Sequence, residues 1–500
     1  LEMRYILMKL KMASKSIMSC LIIFLATFFI CITNTLAADT NSAVTLPDNS
    51  QSTPVTSSQP AALLDLTISA SSGKNTSYLK DASYDSYAPY SADETLTLTS
   101  DQPMYGIYII WRDKTDPWTL SYNGQTKQCG TNGFLHEYVE IPEGTTSCTI
   151  QLSKTESICD IYAYSQGTLP DDVEVWQPSC DTADFLVFST HADDEILFLG
   201  GVLATYGGQQ NDRVQVVYMT NYWNGTKIRE HEKLDGLWAS GIRYYPVNGP
   251  FDDLYATTLD AAKKLYNIDE VTAFVTEQIR RFKPLVCVTQ DINGEYGHGG
   301  HMLLAASVQT AVTSSMDESF CPESVQTYGV WDVPKTYLHL YPENTITMNL
   351  RTPLSRFNNQ TALETAAAAY KKHVSQQWCW FYVSDEYRYS CADFGLFRST
   401  VGTDTGNDML ENVTTYEVQE EEARKKAEEE SKAASIAASE AESSSIAAEQ
   451  KAISDANKEK NVKSAIKIIV IVVVVIALIA LTLFIVRYIN IRNRRKRRRH

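Results

Sequence analysis

This 500-residue sequence predicts an α/β fold with a Rossmann-like, mostly parallel sheet. A small β-sandwich precedes it, and a helical stalk and one membrane-spanning helix follow. Three observations carry that expectation. From about residue 180 to 402, apolar runs of strand length alternate with helical periodicities, the signature of an α/β layer. From 62 to 170, short alternating runs are separated by turn residues, as in small sandwiches. Beyond residue 416 the chain is dominated by Glu, Lys, Ala and Ser, and then turns almost wholly apolar.

The elements follow in order. Arg4, Lys9, Lys11 and Lys15 precede an apolar stretch over 17–32 and small residues around Ala37, so 1–38 is expected to be a signal peptide. Residues 39–61, rich in Ser, Thr, Pro and Asn, form a flexible linker. Within 62–170 the strands fall at 96–100, 106–111, 119–122, 137–141 and 149–152, with tight turns at Asn123-Gly124 and Asn132-Gly133. Trp111, Trp118, Tyr84, Tyr87 and Tyr90 offer ring faces for a sugar, although a sandwich core buries such residues too. In the α/β part, strands are expected at 185–189, 214–219 and 285–289, and helices at 195–206, 226–239, 269–282 and 302–314. Residues 416–463 lack Gly and Pro and predict a solvated helical stalk. A thin alanine seam along it would permit weak pairing of stalks.

Residues 468–486 are apolar apart from Thr482 and span about 28 Å as a helix, enough for a bilayer core. The tail 487–500 holds eight Lys or Arg residues, which by the positive-inside rule stays cytoplasmic. The expectation is a type I, single-pass protein of the cell membrane with its folded part outside. Residues 38–463 hold 59 acidic against 31 basic residues, a balance that argues against a nucleic-acid partner. Eight cysteines remain after the signal, none in a CxxC spacing, with Cys379 and Cys391 the natural local pair.

Two motifs carry chemistry. The apolar run at 185–189 leads into His191-Ala192-Asp193-Asp194-Glu195, and Gly294–His301 (GEYGHGGH) brings His298 and His301 into a glycine-rich loop. Both fall where a strand gives way to a helix, the edge at which α/β sheets bind ligands. A tight turn can aim His191 and Asp194 at one divalent ion, with His301 as third ligand and an open fourth position. Asp193 would then face a water acidified toward pKa ~7 and take its proton, while His298 stabilises an oxyanion or protonates a leaving group. The plain alternative is that Asp193 or Asp194 merely caps the helix expected from Glu195.

Residues 185–201 resemble the AHPDDE-type motif of the PIG-L-like deacetylases, the N-acetylglucosaminyl-phosphatidylinositol de-N-acetylase family. GEYGHGGH is similar to that family's HPDH or HxDH motif, and Arg229-Glu230-His231-Glu232 to its RxxE. Residues 335–342 and 373–376 resemble its C-terminal segments, so the likeness runs over about 183–378. The resemblance implies a zinc (or other divalent) N-deacetylase with His191, Asp194 and His301 as metal ligands and Asp193 as general base. It implies His298 as the group that polarises the intermediate, and Arg229 and His373 as substrate contacts. A surface pair with Glu232 is the plain role for Arg229, a helix-end histidine that for His373; His339 is expected to be structural. Ala192 stands where the family has proline, and Gly299-Gly300 where it has a carboxylate beside the histidine. With an exported site, the implied substrate is an N-acetylated amino sugar of an extracellular or surface glycan. The competing expectation is a glycan-binding protein or adhesin on an inactive deacetylase scaffold, favoured by that glycine pair.

Overall fold

The computed structural model describes residues 59–496. The expected signal peptide and nearly all of the linker lie outside the described residues.

The first sheet is built from β1 (Thr67–Ala70), β2 (Ala88–Tyr90), β3 (Thr95–Trp111), β4 (Trp118–Tyr122), β5 (Gln125–Cys129), β6 (His136–Gln151) and β7 (Glu156–Tyr164). All pairings are antiparallel, in the order β2-β7-β3-β6-β4-β5, with β1 beside β3. The runs expected at 96–100 and 106–111 are one 17-residue strand, and those at 137–141 and 149–152 one of 16. Gln102-Pro103 and the Glu143-Gly144 corner had the composition of turns. The ladder instead absorbs them as register shifts between Thr99, Met104 and Gly106, irregularities that bend a strand without ending it. Along β3 the side chains alternate: Ile107, Ile109 and Trp111 enter one core, Tyr108 and Ile110 another.

The second sheet comprises β8 (Phe185–Ser189), β9 (Val214–Asn221), β10 (Val247–Asp252), β11 (Val286–Thr289), β12 (Lys335–His339), β13 (Thr345–Thr347) and β14 (Asp393–Ser399). Its order is β10-β9-β8-β11-β12-β14-β13, parallel from β10 to β12 and antiparallel at β14 and β13. Every residue of β8 and β9 is buried, because both faces are covered. Phe185 and Val187 pack with Leu234 and Leu237 of α1 (Ile228–Ala239) on one side. Leu186 and Phe188 pack on the other with Val275 and Ile279 of α2 (Ile268–Phe282) and Leu304 and Val308 of α3 (Gly299–Ser314). The chain runs from β8 outward through β9 to β10, then returns to place β11 on the other side of β8. The C-terminal ends of β8 and β11 therefore flank the point where the winding reverses, the place at which open α/β sheets bind ligands.

The helix expected over 195–206 is broken. A short turn, Asp194–Leu197, is followed by Gly200–Val202 and a wide-turned segment, Leu203–Gln210. Tight packing explains the two glycines. A Cβ on Gly200 would come within 2.9 Å of the Ala366 methyl in α4 (Ala362–Tyr370), and one on Gly201 within 2.7 Å of the Cys391 carbonyl. No cysteine is disulfide-bonded among the described residues, so the expected Cys379–Cys391 pair is absent. Cys391 lies instead in the core beside the sheet.

The stalk and the apolar segment form one continuous helix, α5 (Tyr416–Lys496), about 120 Å long. Its first turn is docked: the Tyr416 amide donates to Asp184 (2.7 Å), its hydroxyl to the Lys283 carbonyl (2.6 Å), and Arg213 pairs with Glu420. Farther on, apolar side chains from Ile468 to Ile485 are exposed on every side, so by length and composition this segment can cross a membrane.

Candidate active site

The loop after β8 is shaped for something other than capping. Asp193 has φ +115° and ψ −35°, a backbone region non-glycine residues avoid at a cost of about 1–3 kcal/mol. Its side chain makes no cap hydrogen bond, so the plain capping role is not what the loop is built for. The conformation is held from outside. Glu195 Oε2 accepts the Asp193 amide at 2.8 Å, and the Tyr222 hydroxyl takes the Ala192 amide at 3.2 Å. The second contact uses an N–H that a proline there would lack.

The turn brings His191 Nδ1 to 2.8 Å from Asp194 Oδ2, and α3 delivers His301 Nε2 to 3.0 Å from the same oxygen and 3.2 Å from His191 Nδ1. The three atoms form a nearly equilateral triangle. Four-coordinate zinc with ligand bonds of about 2.0–2.1 Å separates its donors by roughly 3.3 Å. Protons point the same way: His301 Nδ1 lies 2.7 Å from Glu295 Oε2, so it donates there and turns the Nε2 lone pair inward. The residues present fit a divalent cation.

His298 also lies near His191 and His301, with ligand atoms of all three within 4.8 Å of one another. Asp194 is the better third donor, because its oxygen lies 2.8 and 3.0 Å from the two rings and His298 Nδ1 is engaged. That nitrogen accepts the Gly300 amide at 3.1 Å, which makes His298 the N-cap of α3. In the neutral ring Nε2 then carries the hydrogen and becomes a donor. The glycine pair has a steric cause: a Cβ on Gly299 would stand 2.2 Å from the Thr258 carbonyl oxygen.

Electrostatics follow the packing. Burial pushes the Asp193 carboxyl up to about 7, opposed by Arg229 and reinforced by Asp194. Burial works against the Asp194 charge too, yet the two imidazoles hold it well below the usual carboxylate range. For His301, burial opposes the proton, but Asp194 and Glu295 outweigh it and lift the ring to about 10. Burial and the charges of His191 and His301 press His298 down to about 2. In effect, protons on imidazole occupy the place a cation would take.

Arg229 does not pair with Glu232. Its Nη2 reaches Asp193 Oδ1 at 3.2 Å and the Ala192 carbonyl, its Nη1 reaches Asp253 at 3.2 Å, and the guanidinium covers the Tyr222 ring. Glu232 instead accepts the amide and hydroxyl of Ser375. His373 is fully buried, with Nε2 3.1 Å from Glu195 Oε1. It stands behind the loop rather than on an open surface.

Several partners had no sequence signal. Glu295 bridges His301 and His339 Nδ1 (2.6 Å), and His339 Nε2 meets the Ser390 carbonyl at 2.8 Å. The missing motif carboxylate is thus replaced from six residues upstream. Asp253, just past β10, lies 3.3 Å from His191 Nε2. Tyr296, at φ +48°, packs its ring against His298 and His301. By contrast, Trp111 and Trp118 are sealed in the first sheet's core, both donating to Glu137, and Tyr90 is buried as well. None of the three is available to stack on a sugar.

Over part of its length the chain is similar to known proteins. The family model described as PIG-L: GlcNAc-PI de-N-acetylase matches residues 186–312. The 1D-myo-inositol 2-acetamido-2-deoxy-alpha-D-glucopyranoside deacetylase 1 of Catenulispora acidiphila is 25% identical over 195 residues, 32% of this chain and 57% of that protein. The corresponding deacetylase 2 of Frankia casuarinae is 35% identical over 173 residues, 29% of this chain and 54% of that one. The chain therefore spans just over half the length of these curated relatives. Among solved structures, N,N'-diacetylchitobiose deacetylase from Pyrococcus horikoshii aligns at 18% identity, over 39% of this chain and 71% of that one, with a TM-score of 0.30. Residues 186–312 of this chain are accordingly a PIG-L domain, of the GlcNAc-PI de-N-acetylase family.

Proposed function

We propose that the protein is a metal-dependent, most simply zinc-dependent, N-deacetylase that removes acetyl groups from N-acetylated amino sugars of an extracellular or surface glycan. The observation that carries this reading is the triangle of His191 Nδ1, Asp194 Oδ2 and His301 Nε2 beside a strained carboxylate, Asp193. His191, Asp194 and His301 would hold the ion, which when bound supplies Lewis-acid polarisation of a carbonyl and acidifies water. Asp193 takes the proton of the attacking water and passes it to the departing nitrogen, as acetate and a free amine separate. His298 Nε2–H donates to the carbonyl oxygen as it gains charge. Arg229 aims and steadies Asp193 rather than serving as a free substrate ligand, and His373 fixes Glu195 beneath the loop. Asp253, beside His191 Nε2 and Arg229, and Tyr296, beside His298 and His301, are the polar groups that substrate hydroxyls would meet. In this reading the parallel sheet is Rossmann-like, the bent strands of 62–170 close into a sandwich, and 180–402 is the deacetylase domain. Export by residues 1–38 and anchoring by 468–486, with the basic tail inside, would put the chemistry outside the cell.

The test is acetate release. The full chain in detergent should liberate acetate from N-acetylglucosamine oligosaccharides, lose at least about tenfold in rate on chelation, and recover with added Zn2+. Undiminished release from stripped, folded protein would overturn metal dependence.

Substrate length has its own support. Trp380 and Tyr255 are 64% and 71% exposed and are linked to the site through ring contacts. Trp380 leans on Phe381 (ring centroids 4.3 Å), Phe381 on Tyr296 (4.5 Å), and Tyr255 on His298 (5.1 Å). These rings form a path of flat apolar faces leading to the histidines, matching the C–H faces of successive pyranose units. Trp380→Ala should raise KM for an oligosaccharide about tenfold, near 1.4 kcal/mol, with kcat nearly unchanged. An equal loss on a monosaccharide would argue against an extended glycan.

A further inference from the structure

A cavity of about 530 Å³ lies on the seam between the two sheets, and none of its lining residues belongs to the histidine site. One wall is the connection from β5 to β6, residues 131–135. Lys114 lies against it, so that a Cβ on Gly133 would stand 2.7 Å from the Lys114 Cε. The other wall is the approach to β10, residues 245–248, on the edge strand of the second sheet. Trp223, Ser179 and Arg281 of α2 complete the lining.

The walls are fixed from within the chain. The Tyr245 hydroxyl accepts the Leu135 amide at 3.0 Å, and its ring stacks on Phe134 with centroids 4.5 Å apart. The Tyr245 amide donates to the Gln177 carbonyl at 2.9 Å, which holds the segment that carries Ser179. Asp113 pairs with Lys227, just ahead of α1, and so tethers the loop that carries Lys114. A preformed hollow at a junction between layers, inside the roughly 300–1,000 Å³ range of ligand pockets, is where small molecules bind.

Its charge runs against the rest of the molecule. The chain carries 60 acidic against 44 basic residues, and another cavity, of about 550 Å³, is lined by five Asp or Glu residues and one lysine. Here the lining holds Lys114 and Arg281 and no Asp or Glu. Among the described residues neither cation has a carboxylate within 4.0 Å. Arg281 Nη2 donates to Ser179 Oγ at 2.9 Å, which steadies the guanidinium and leaves the Ser179 hydrogen for a ligand. Two cations with no acid in the same hollow set up a positive field that draws in an anion.

The neutral groups describe the rest of the ligand. Trp223 and Tyr245, both half-buried, contribute aromatic rings, and Thr131 and Asn132, both exposed, contribute a hydroxyl and an amide. Aromatic rings suit the C–H faces of a pyranose, and hydroxyl and amide groups suit its hydroxyls.

We propose that this cavity binds a carboxylate-bearing sugar, a hexuronate unit of a glycan, at a site separate from the histidine centre. Lys114 and Arg281 take the carboxylate, Arg281 through the planar fork that matches it. Trp223 and Tyr245 take the sugar ring, and Thr131, Asn132 and Ser179 its hydroxyls. This binding does not depend on deacetylation, so it stands or falls apart from the reading of the catalytic site.

The experiment is calorimetric titration of the full chain, in a detergent without a sugar headgroup, with two disaccharides that contain no acetamide. Cellobiouronate (glucuronate joined to glucose) and cellobiose differ only at the anionic group. The uronate should bind at least about tenfold more tightly, the effect of a charged hydrogen bond. Lys114→Glu, at an exposed position, and separately Arg281→Gln should each erase that preference, while cellobiose affinity stays within about twofold. Equal affinity for the two disaccharides, or a preference that survives in either variant, overturns the proposal. Inorganic phosphate binding as tightly as the uronate would show a bare anion site and overturn it as well.

Discussion

Asp193→Asn should lower kcat for acetate release by about 100- to 10,000-fold, the usual contribution of a positioned base, with zinc content and Tm preserved. Asparagine keeps the shape of the residue, and its carbonyl can still accept from Arg229 Nη2. It cannot take a proton. The backbone at this position is fixed by contacts that do not involve its side chain: Glu195 on the Asp193 amide and the Tyr222 hydroxyl on the preceding one. The strained φ of +115° should therefore persist in the variant. A fall in kcat with KM held nearly constant is the pattern of an interaction made in the transition state. If the variant keeps wild-type turnover, Asp193 is not the base. If it loses metal as well as activity, Asp193 belongs with the ion-holding residues.

Much of this architecture was legible because its periods are strong. Strand β8 and helices α1 and α2 lie within two residues of where apolar periodicity puts them. The HADDE and HGGH segments meet because β8 and β11 are neighbours. What the sequence hid falls into two kinds. One is continuity: Gln102-Pro103 and Glu143-Gly144 have turn composition, and only pairing across β3 and β6 turns them into irregularities within a long strand. The stalk and apolar segment likewise read as separate elements because their compositions differ, although no helix breaker divides them. The other is side chains that act across the fold. Glu295 is six residues from His301 and Asp253 sits in another loop, so neither spacing advertises a contact. His373 looked like a pocket residue by motif, yet its neighbourhood is set by α1, whose Gly236 leaves room for the ring: a Cβ there would lie 2.7 Å from His373 Nε2.

Glu295→Ala should weaken zinc binding about 10- to 100-fold and destabilise the chain by about 3–5 kcal/mol. Glu295 is fully buried and accepts from the Asp291 amide (3.0 Å), His301 Nδ1 and His339 Nδ1. Alanine leaves both rings facing a cavity without an acceptor, and nothing then fixes which nitrogen of His301 carries its hydrogen. The metal-facing lone pair is lost for part of the population, which lowers affinity although the three donor residues are intact. Glu295→Gln should fall between, since one amide oxygen can still accept but the amide nitrogen meets a second donor. The stability effect should depend on pH with a definite sign. Burial alone would raise the Glu295 carboxyl, but the His301 and His339 hydrogen bonds hold it down to about 2, below its ordinary 4.5. Its contribution is therefore full above about 4.5 and is lost as the pH falls from there toward about 2, so the gap between wild type and Glu295→Ala should narrow across that window. Competition against a zinc chelator and urea unfolding at several pH values read the two effects separately. Unchanged zinc affinity in Glu295→Ala would mean that Asp194 alone orients His301, and a stability gap independent of pH would mean that the residue acts by packing rather than by charge.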